Sequence, residues 1–201
     1  MPAPPSGGQD TPAPASRREQ ILATAAELFA ARGFHGVSVS DIGAACGVSG
    51  PALYKHFAGK DAVLAEMLVS ISEQLLGVGE QRVDDADGAE AALAALIAWH
   101  VDFALRHRAL IVVQDRDWSS LPPEARERVR ALQRSYVDLW ARVLQERDAG
   151  LGVVVGLDTA RARAHAAFGL INSTPHSGLL PTDRMRVLLA EMAHRALAPT
   201  P

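Results

Sequence analysis

The sequence predicts an all-α fold: a three-helix N-terminal domain containing a helix-turn-helix, joined by a fourth helix to a larger helical C-terminal domain. Three observations predict it. Apolar residues recur at three- and four-residue spacing through most of the chain, glycines and prolines punctuate that pattern, and no succession of alternating strands is visible. With 201 residues and 48% hydrophobic composition the chain has room for one or two domains and a real core.

Residues 1–15, opening Met1-Pro2-Ala3-Pro4-Pro5-Ser6-Gly7-Gly8, lack the apolar core of a secretory signal and read as a retained, flexible tail. Order begins near Ser16. After a polar opening, Ile21, Leu22, Ala25, Leu28 and Phe29 recur at helical spacing, and Gly33 supplies a stop after Arg32. Ser38 caps a second, short helix, with Asp41 in a variant of the capping box and Ile42 and Ala45 facing inward; Gly47 breaks it. Ser49 caps a third helix, residues 50–57, in which Leu53 and Phe57 lie four apart and share a buried face. The opposite face carries Gly50, Pro51, Tyr54 and Lys55, small, hydrogen-bonding and cationic groups suited to a groove that a bulky apolar residue would not fit. Two short helices about a glycine-containing turn make a helix-turn-helix, a shape shared with ordinary helical hairpins.

These residues also carry a resemblance. Residues 17–64, with Arg32-Gly33-Phe34, Val39-Ser40-Asp41-Ile42, Gly47-Val48-Ser49 and Leu53-Tyr54-Lys55-His56-Phe57-Ala58-Gly59-Lys60, closely resemble the DNA-binding domain of the tetracycline-repressor (TetR) family. The resemblance covers about a quarter of the chain at motif strength, and the helix count and length of the remainder are similar too. It implies a regulator that binds a palindromic operator as a homodimer, usually as a repressor, without a cofactor. It further implies DNA contact by Ser38, Gly50, Pro51, Ala52, Tyr54, Lys55, His56 and Lys60. Pro51 and Ala52 stand where relatives often place residues with more hydrogen-bonding capacity, which implies sparse base readout.

The physics of those roles stands beside the resemblance. Backbone amides at helix starts near Ser38, Ser49 and Lys60 aim partial positive charge at phosphate. Tyr54 and His56 can donate to phosphate oxygens, while Lys55 reaches either a phosphate or a guanine edge. His56 also suits a capping or core-edge place, and the single cysteine, Cys46, suits a small core hydrophobe better than a redox sensor. A net charge of −3 excludes a basic packaging protein, yet five Lys or Arg against three Asp or Glu between Arg17 and Lys60 leave a local +2. No run approaches the roughly 18 apolar residues that a membrane span needs, and one cysteine permits no intrachain disulfide, so a reducing cytoplasm fits.

Residues 16–60 are therefore read as the DNA-binding domain and 61–201 as an effector-binding and dimerisation domain. A fourth helix, 60–77, presents Val63, Leu64, Met67, Leu68 and Ile71 and joins the two; the acidic segment 84–88 is a loop. Helices follow at 89–106 and 107–115. A helix start at Ser119-Ser120-Leu121-Pro122-Pro123-Glu124 opens a long seventh helix, with Val129, Leu132, Tyr136, Leu139, Trp140, Val143 and Leu144 on one face until Gly150 and Gly152. Trp99, Phe103, Trp118, Trp140 and Phe168 supply bulky apolar surface, and His100, Asp102, His107, Asp115 and Asn172 a few polar handles, the composition of a ligand pocket. The expected ligand contacts are Trp99, Phe103, Trp118, Trp140, Phe168 and Asn172, for an apolar or amphipathic effector such as an acyl-type metabolite or a drug.

The last two helices, 158–173 and 183–197, carry small and Met/Leu faces. Ala164, Ala167, Phe168, Ile171, Met185, Leu189 and Met192 are expected at a twofold interface, which the resemblance implies to be a four-helix bundle. An enzyme is the competing class, with a metal at His100 and Asp102 or at His107 and Asp115. The repeated Glu-x-x-His of a helical carboxylate site and a Gly-x-Ser-x-Gly elbow are both absent, so no catalytic residue is assigned. A scaffold that binds only protein would show no sequence-specific affinity for DNA.

Overall fold

The computed structural model describes residues 16–199, so the reading of 1–15 as a flexible tail lies outside the described residues. Among the described residues there are nine α-helices and no strand: α1 Arg17–Arg32, α2 Val39–Ala45, α3 Gly50–Tyr54, α4 Lys60–Asp84, α5 Ala89–Arg106, α6 Arg108–Asp117, α7 Pro123–Gly150, α8 Leu157–Ile171 and α9 Thr182–Ala196. Short 3-10 turns occupy Trp118–Ser120 and Thr174–His176.

Local chemistry sets the first two helix starts. The Ser16 hydroxyl accepts the Glu19 N–H at 3.2 Å while the Glu19 carboxylate accepts the Ser16 N–H at 2.7 Å. Ser38 and Asp41 repeat the arrangement at 3.1 and 2.8 Å, so each box satisfies two otherwise orphaned donors. Gly33 ends α1 with φ 75°, a left-handed conformation that favours glycine. In α2, Ile42 faces inward as expected but Ala45 is exposed, and Gly43 takes the second inner place.

Two expected helix ends move. α3 stops at Tyr54, and Phe57 is buried from the turn that follows it. α4 continues past Gly77 to Asp84. Gly79 is there for close approach: a Cβ on it would lie 2.8 Å from the Tyr136 ring and 3.3 Å from Leu139. α4 is also long and apolar enough, by length and composition, to cross a membrane, contrary to the expectation that no run approaches that length. Here its Val63, Leu64, Met67 and Leu68 lie in the protein core, and it packs on α1, α5 and α7.

The core has two parts. One gathers Ile21, Phe29, Ile42, Leu53 and Phe57 with the start of α4, and is completed by Val113, Leu121 and Val129 from the second half of the chain. The other joins α5, α7, α8 and α9 around Leu96, Ile97, Trp140, Leu144 and Ala164. Fully burying a side chain such as Phe29 or Ile97 contributes roughly 1.5–3 kcal/mol.

α6 bridges them. The Arg116 guanidinium donates to the carbonyl of Ala30 at 3.1 Å and to that of Phe29, at the C-terminal end of α1. Buried Asp117 holds the fork, accepting from Nε at 3.3 Å and Nη2 at 3.1 Å. A cation there satisfies open carbonyls and complements the helix dipole.

Candidate nucleic-acid interface and ligand cavity

α3 is anchored by Leu53, fully buried, and turns Tyr54, 57% exposed, outward. Pro51 and Lys55 are exposed; Ala52 and His56 are half-buried. Gly50 opens the helix, and Ser49 stands at its N-cap without making a cap hydrogen bond. The cations around α3 divide sharply. Arg17 donates to the Cys46 carbonyl at 2.9 Å, Arg18 pairs with Glu66 and lies over the Phe57 ring, and Arg32 pairs with Asp41 at 3.4 Å. Lys55 is the one cation of residues 17–60 without a hydrogen bond or ion pair among the described residues.

Lys60 differs from its expected role as a phosphate ligand. Its Nζ donates to the carbonyls of Phe34 at 3.0 Å and Val37 at 3.1 Å and lies 4.4 Å from the Phe34 ring centroid. Two of three ammonium donors thus hold the turn between α1 and α2, which a spacing argument had no means of detecting. Ser38 is likewise engaged by Asp41, whose carboxyl is held below the usual range chiefly by that hydroxyl. The His56 carbonyl accepts from Arg18 at 2.6 Å, which fixes the exit of α3 against α1.

A cavity of about 230 Å³ lies between α4, α5, α6, α7 and α8. Of the expected ligand contacts, Phe103, Phe168 and Asn172 line it, with His100 and Asp115 from the wider set of handles. The three tryptophans do not. Trp99 packs beside α4 and donates to the Leu75 carbonyl at 3.1 Å; Trp118 lies against the N-terminal core under Arg130; Trp140 is fully buried, edge-on to Phe168 at 5.0 Å. Bulky apolar surface went to packing. The cavity wall is instead built from stripes that mix polar with apolar groups: Leu132, Gln133 and Tyr136 on α7, and His165, Phe168 and Asn172 on α8. Those i, i+3, i+4, i+7 spacings were the available signal for Gln133 and His165, and for Tyr136, which was read as part of the apolar face of the seventh helix and not as a ligand contact.

His100 is the centre of the polar end. It lies 3.3 Å from the Tyr136 hydroxyl and 3.2 Å from Asn172 Oδ1, and its ring stacks on Phe168 at 4.7 Å. Burial holds its pKa down at about 4, against the opposing pull of Asn172, so the imidazole is neutral at pH 7. Burial also pushes the Tyr136 phenol and the Asp115 carboxyl up. The metal reading loses its ligands: His100 is engaged as above, Asp102 pairs with Arg186 at 2.6 Å, and no cluster of His, Cys, Asp or Glu suited to a metal occurs among the described residues.

The expected interface residues need the largest correction. Ala164, Ala167, Ile171, Met185 and Leu189 are buried in the chain's own core, and Phe168 lines the cavity. Met192 alone, 44% exposed, points outward. α8 has a second small-residue face, Ala162, Ala166 and Gly169, and α9 exposes Val187 and Leu188 beside Met192.

Comparison with known proteins decides the family. The model of bacterial regulatory proteins of the tetR family matches residues 21–67, and that of the tetracyclin repressor-like C-terminal domain matches 86–176. The HTH-type transcriptional repressor KstR2 of Mycolicibacterium smegmatis is 33% identical over 141 residues, 68% of this chain and 68% of that protein. This chain belongs to the tetR family. The TetR family transcriptional regulator PfmR from Thermus thermophilus superposes with a TM-score of 0.78 at 25% identity, covering 94% of this chain and 99% of that one. FadR from Bacillus subtilis, solved in complex with stearoyl-CoA, shares the fold with a TM-score of 0.65 at 23% identity, covering 89% and 95%. As a tetR-family protein the chain is a DNA-binding transcriptional regulator and not an enzyme. The first matched segment contains α3, and the second contains the cavity residues of α5 to α8.

Proposed function

We propose that this tetR-family regulator is a cytoplasmic repressor that binds a palindromic operator as a homodimer and is released by a small apolar or amphipathic effector. α3 enters the major groove, with Tyr54 and Lys55 as its reading and anchoring groups, and successive half-sites lie about 34 Å apart per helical turn. The outward faces of α8 and α9, with Ala162, Ala166, Gly169, Val187, Leu188 and Met192, form the twofold bundle. The effector occupies the cavity, and an acyl-type compound is the reading that FadR, solved with stearoyl-CoA, and the fatty acid metabolism regulator protein of Bacillus subtilis support.

One observation carries the coupling: α6 lines the cavity with Ile111, Gln114 and Asp115, and the next residue, Arg116, clamps the end of α1. A ligand that shifts α6 changes that clamp and the spacing of the two recognition helices. α4, which contributes to both the cavity and the N-terminal core, is the second route. Arg116→Ala tests this. For a ligand that quenches the tryptophans and releases the wild type, coupling of about 5- to 150-fold is expected, equal in both directions. The variant is expected to bind operator and ligand separately within a few-fold of wild type while coupling falls several-fold. Undiminished coupling in Arg116→Ala would remove α6 from the mechanism.

A further inference from the structure

The mixed lining of the cavity carries a chemical selectivity beyond its shape. Resting on the reading of this cavity as the effector site, we propose that it recognises an uncharged oxygen, a ketone, hydroxyl, ester or thioester, carried at one end of an apolar body, and rejects an ionised head.

Hydrogen-bond polarity leads there. Asn172 Oδ1 is an acceptor, so His100 donates to it through Nε2, which leaves Nδ1 to accept from the Tyr136 hydroxyl. The order Tyr136 to His100 to Asn172 is a polarised chain whose terminal amide keeps both N–H donors uncommitted among the described residues. Asn172 lines the cavity, so those donors are available to a ligand oxygen. The stacked rings of Phe168, His100 and Tyr136, within 18° of parallel, fix the three groups in place. A ligand that brings a hydroxyl finds an acceptor in the Tyr136 oxygen.

Charge points the same way. No Lys or Arg lines the cavity, and its one carboxylate, Asp115, stands at the exposed rim. Arg130, Arg134 and Arg161 lie outside, in a surface groove that meets the cavity mouth at Gln133, Val137 and His165. They are already engaged: Arg130 and Arg134 by Glu127 at 3.8 and 3.2 Å, and Arg161 by Asp138 at 2.6 Å. A carboxylate inside the cavity would lose its hydration and meet no cation. At about 230 Å³, below the roughly 300 Å³ at which pockets for drug-sized ligands begin, the space suits a body of about ten carbons or the end of a longer one.

The test uses four matched probes on the full-length protein at pH 8: decan-2-one, its isostere 2-methyldec-1-ene, decanoate and decyltrimethylammonium. Quenching of Trp140, edge-on to the stacked rings, reads binding. Decan-2-one is expected to bind about ten-fold tighter than either ion and more tightly than the alkene. In Asn172→Leu the advantage of ketone over alkene is expected to vanish while the alkene itself is little changed; in Tyr136→Phe, which leaves the Asn172 amide in place but removes the group that orients His100, the advantage is expected to shrink and not to vanish. Circular dichroism and operator affinity without probe establish that each variant is folded, and the same operator measurement tests the regulatory reading separately. The proposal is overturned if decanoate or the ammonium binds tightest, if the alkene equals the ketone in the wild type, if no probe binds, or if the ketone's advantage survives undiminished in folded Asn172→Leu.

Discussion

Asp148→Ala is expected to remove about 3–5 kcal/mol of folding stability, read as a lowered denaturant midpoint. Asp148 is fully buried near the end of α7 and accepts from Arg147 Nε at 2.9 Å and from Arg163 Nη1 of α8 at 2.5 Å. Both guanidiniums continue to the Leu197 carbonyl, Arg147 Nη2 at 2.6 Å, so one carboxylate ties the ends of α7 and α9 to α8. Burial works against its charge, but the hydrogen bonds from Arg163 and Arg147 outweigh that and hold its carboxyl below the usual range. Without it, two cations remain in a site with little solvent, which is why deleting one partner is far worse than the net worth of the pair. Asp148→Asn keeps the shape and part of the bonding, and a smaller loss is expected. A change below about 1 kcal/mol for Asp148→Ala would mean that water screens the cluster as it does a surface pair.

Acidification is expected to destabilise the protein by about 3 kcal/mol between pH 6.5 and pH 4 through His100 alone. The sign follows from burial. The folded imidazole resists protonation down to about 4 whereas an unfolded histidine titrates near 6.5, so in that window the unfolded chain binds the extra proton and stability falls as pH falls. His107, lowered by burial and by Arg106, acts in the same direction. Asp115, raised by burial, acts in the opposite one. Asp148 contributes its loss only at lower pH, because its stabilisation is present above the ordinary Asp value and disappears as pH drops through the folded one. Urea unfolding across this range should show a flat region above pH 7 and a steep acid limb. His100→Gln should flatten that limb; an unchanged slope in the variant would place the acid sensitivity elsewhere.

What was legible in the sequence was local or periodic. The cap at Ser38 needs only a partner three residues away, and the inward faces of α1 and α3 need only helical spacing. What was not legible depends on contacts between distant segments. Gly77 reads as the end of the fourth helix, with nothing to show that Gly79 beyond it lies against Tyr136, and Lys60 reads as a phosphate ligand until the Phe34 and Val37 carbonyls are brought to it. The tryptophans were the natural choice for a pocket because they are large. Size is also what the core demands, so Trp140 went inside and the cavity fell to mixed stripes on α7 and α8. α8 carries small residues on two faces, and composition alone does not say that Ala164 and Ala167 turn inward while Ala162 and Ala166 turn out.

The central claim is that α3 reads DNA through Tyr54 and Lys55 while Lys60 serves the fold. Duplexes enriched from a random-sequence pool by the wild type, titrated at several salt concentrations beside a scrambled control, put this to measurement with Lys55→Ala and Lys60→Ala. Lys55→Ala is expected to weaken the selected duplex by roughly 1–3 kcal/mol if it reads a base, with preference relaxed at one position per half-site. If Lys55 holds phosphate instead, selected and scrambled duplexes weaken alike and the salt dependence drops by about one phosphate per subunit. Lys60→Ala is expected to lower thermal stability and to leave that salt dependence unchanged. No enriched sequence at all, or undiminished binding in a folded Lys55→Ala variant, would contradict the assignment of α3 as the DNA-reading surface.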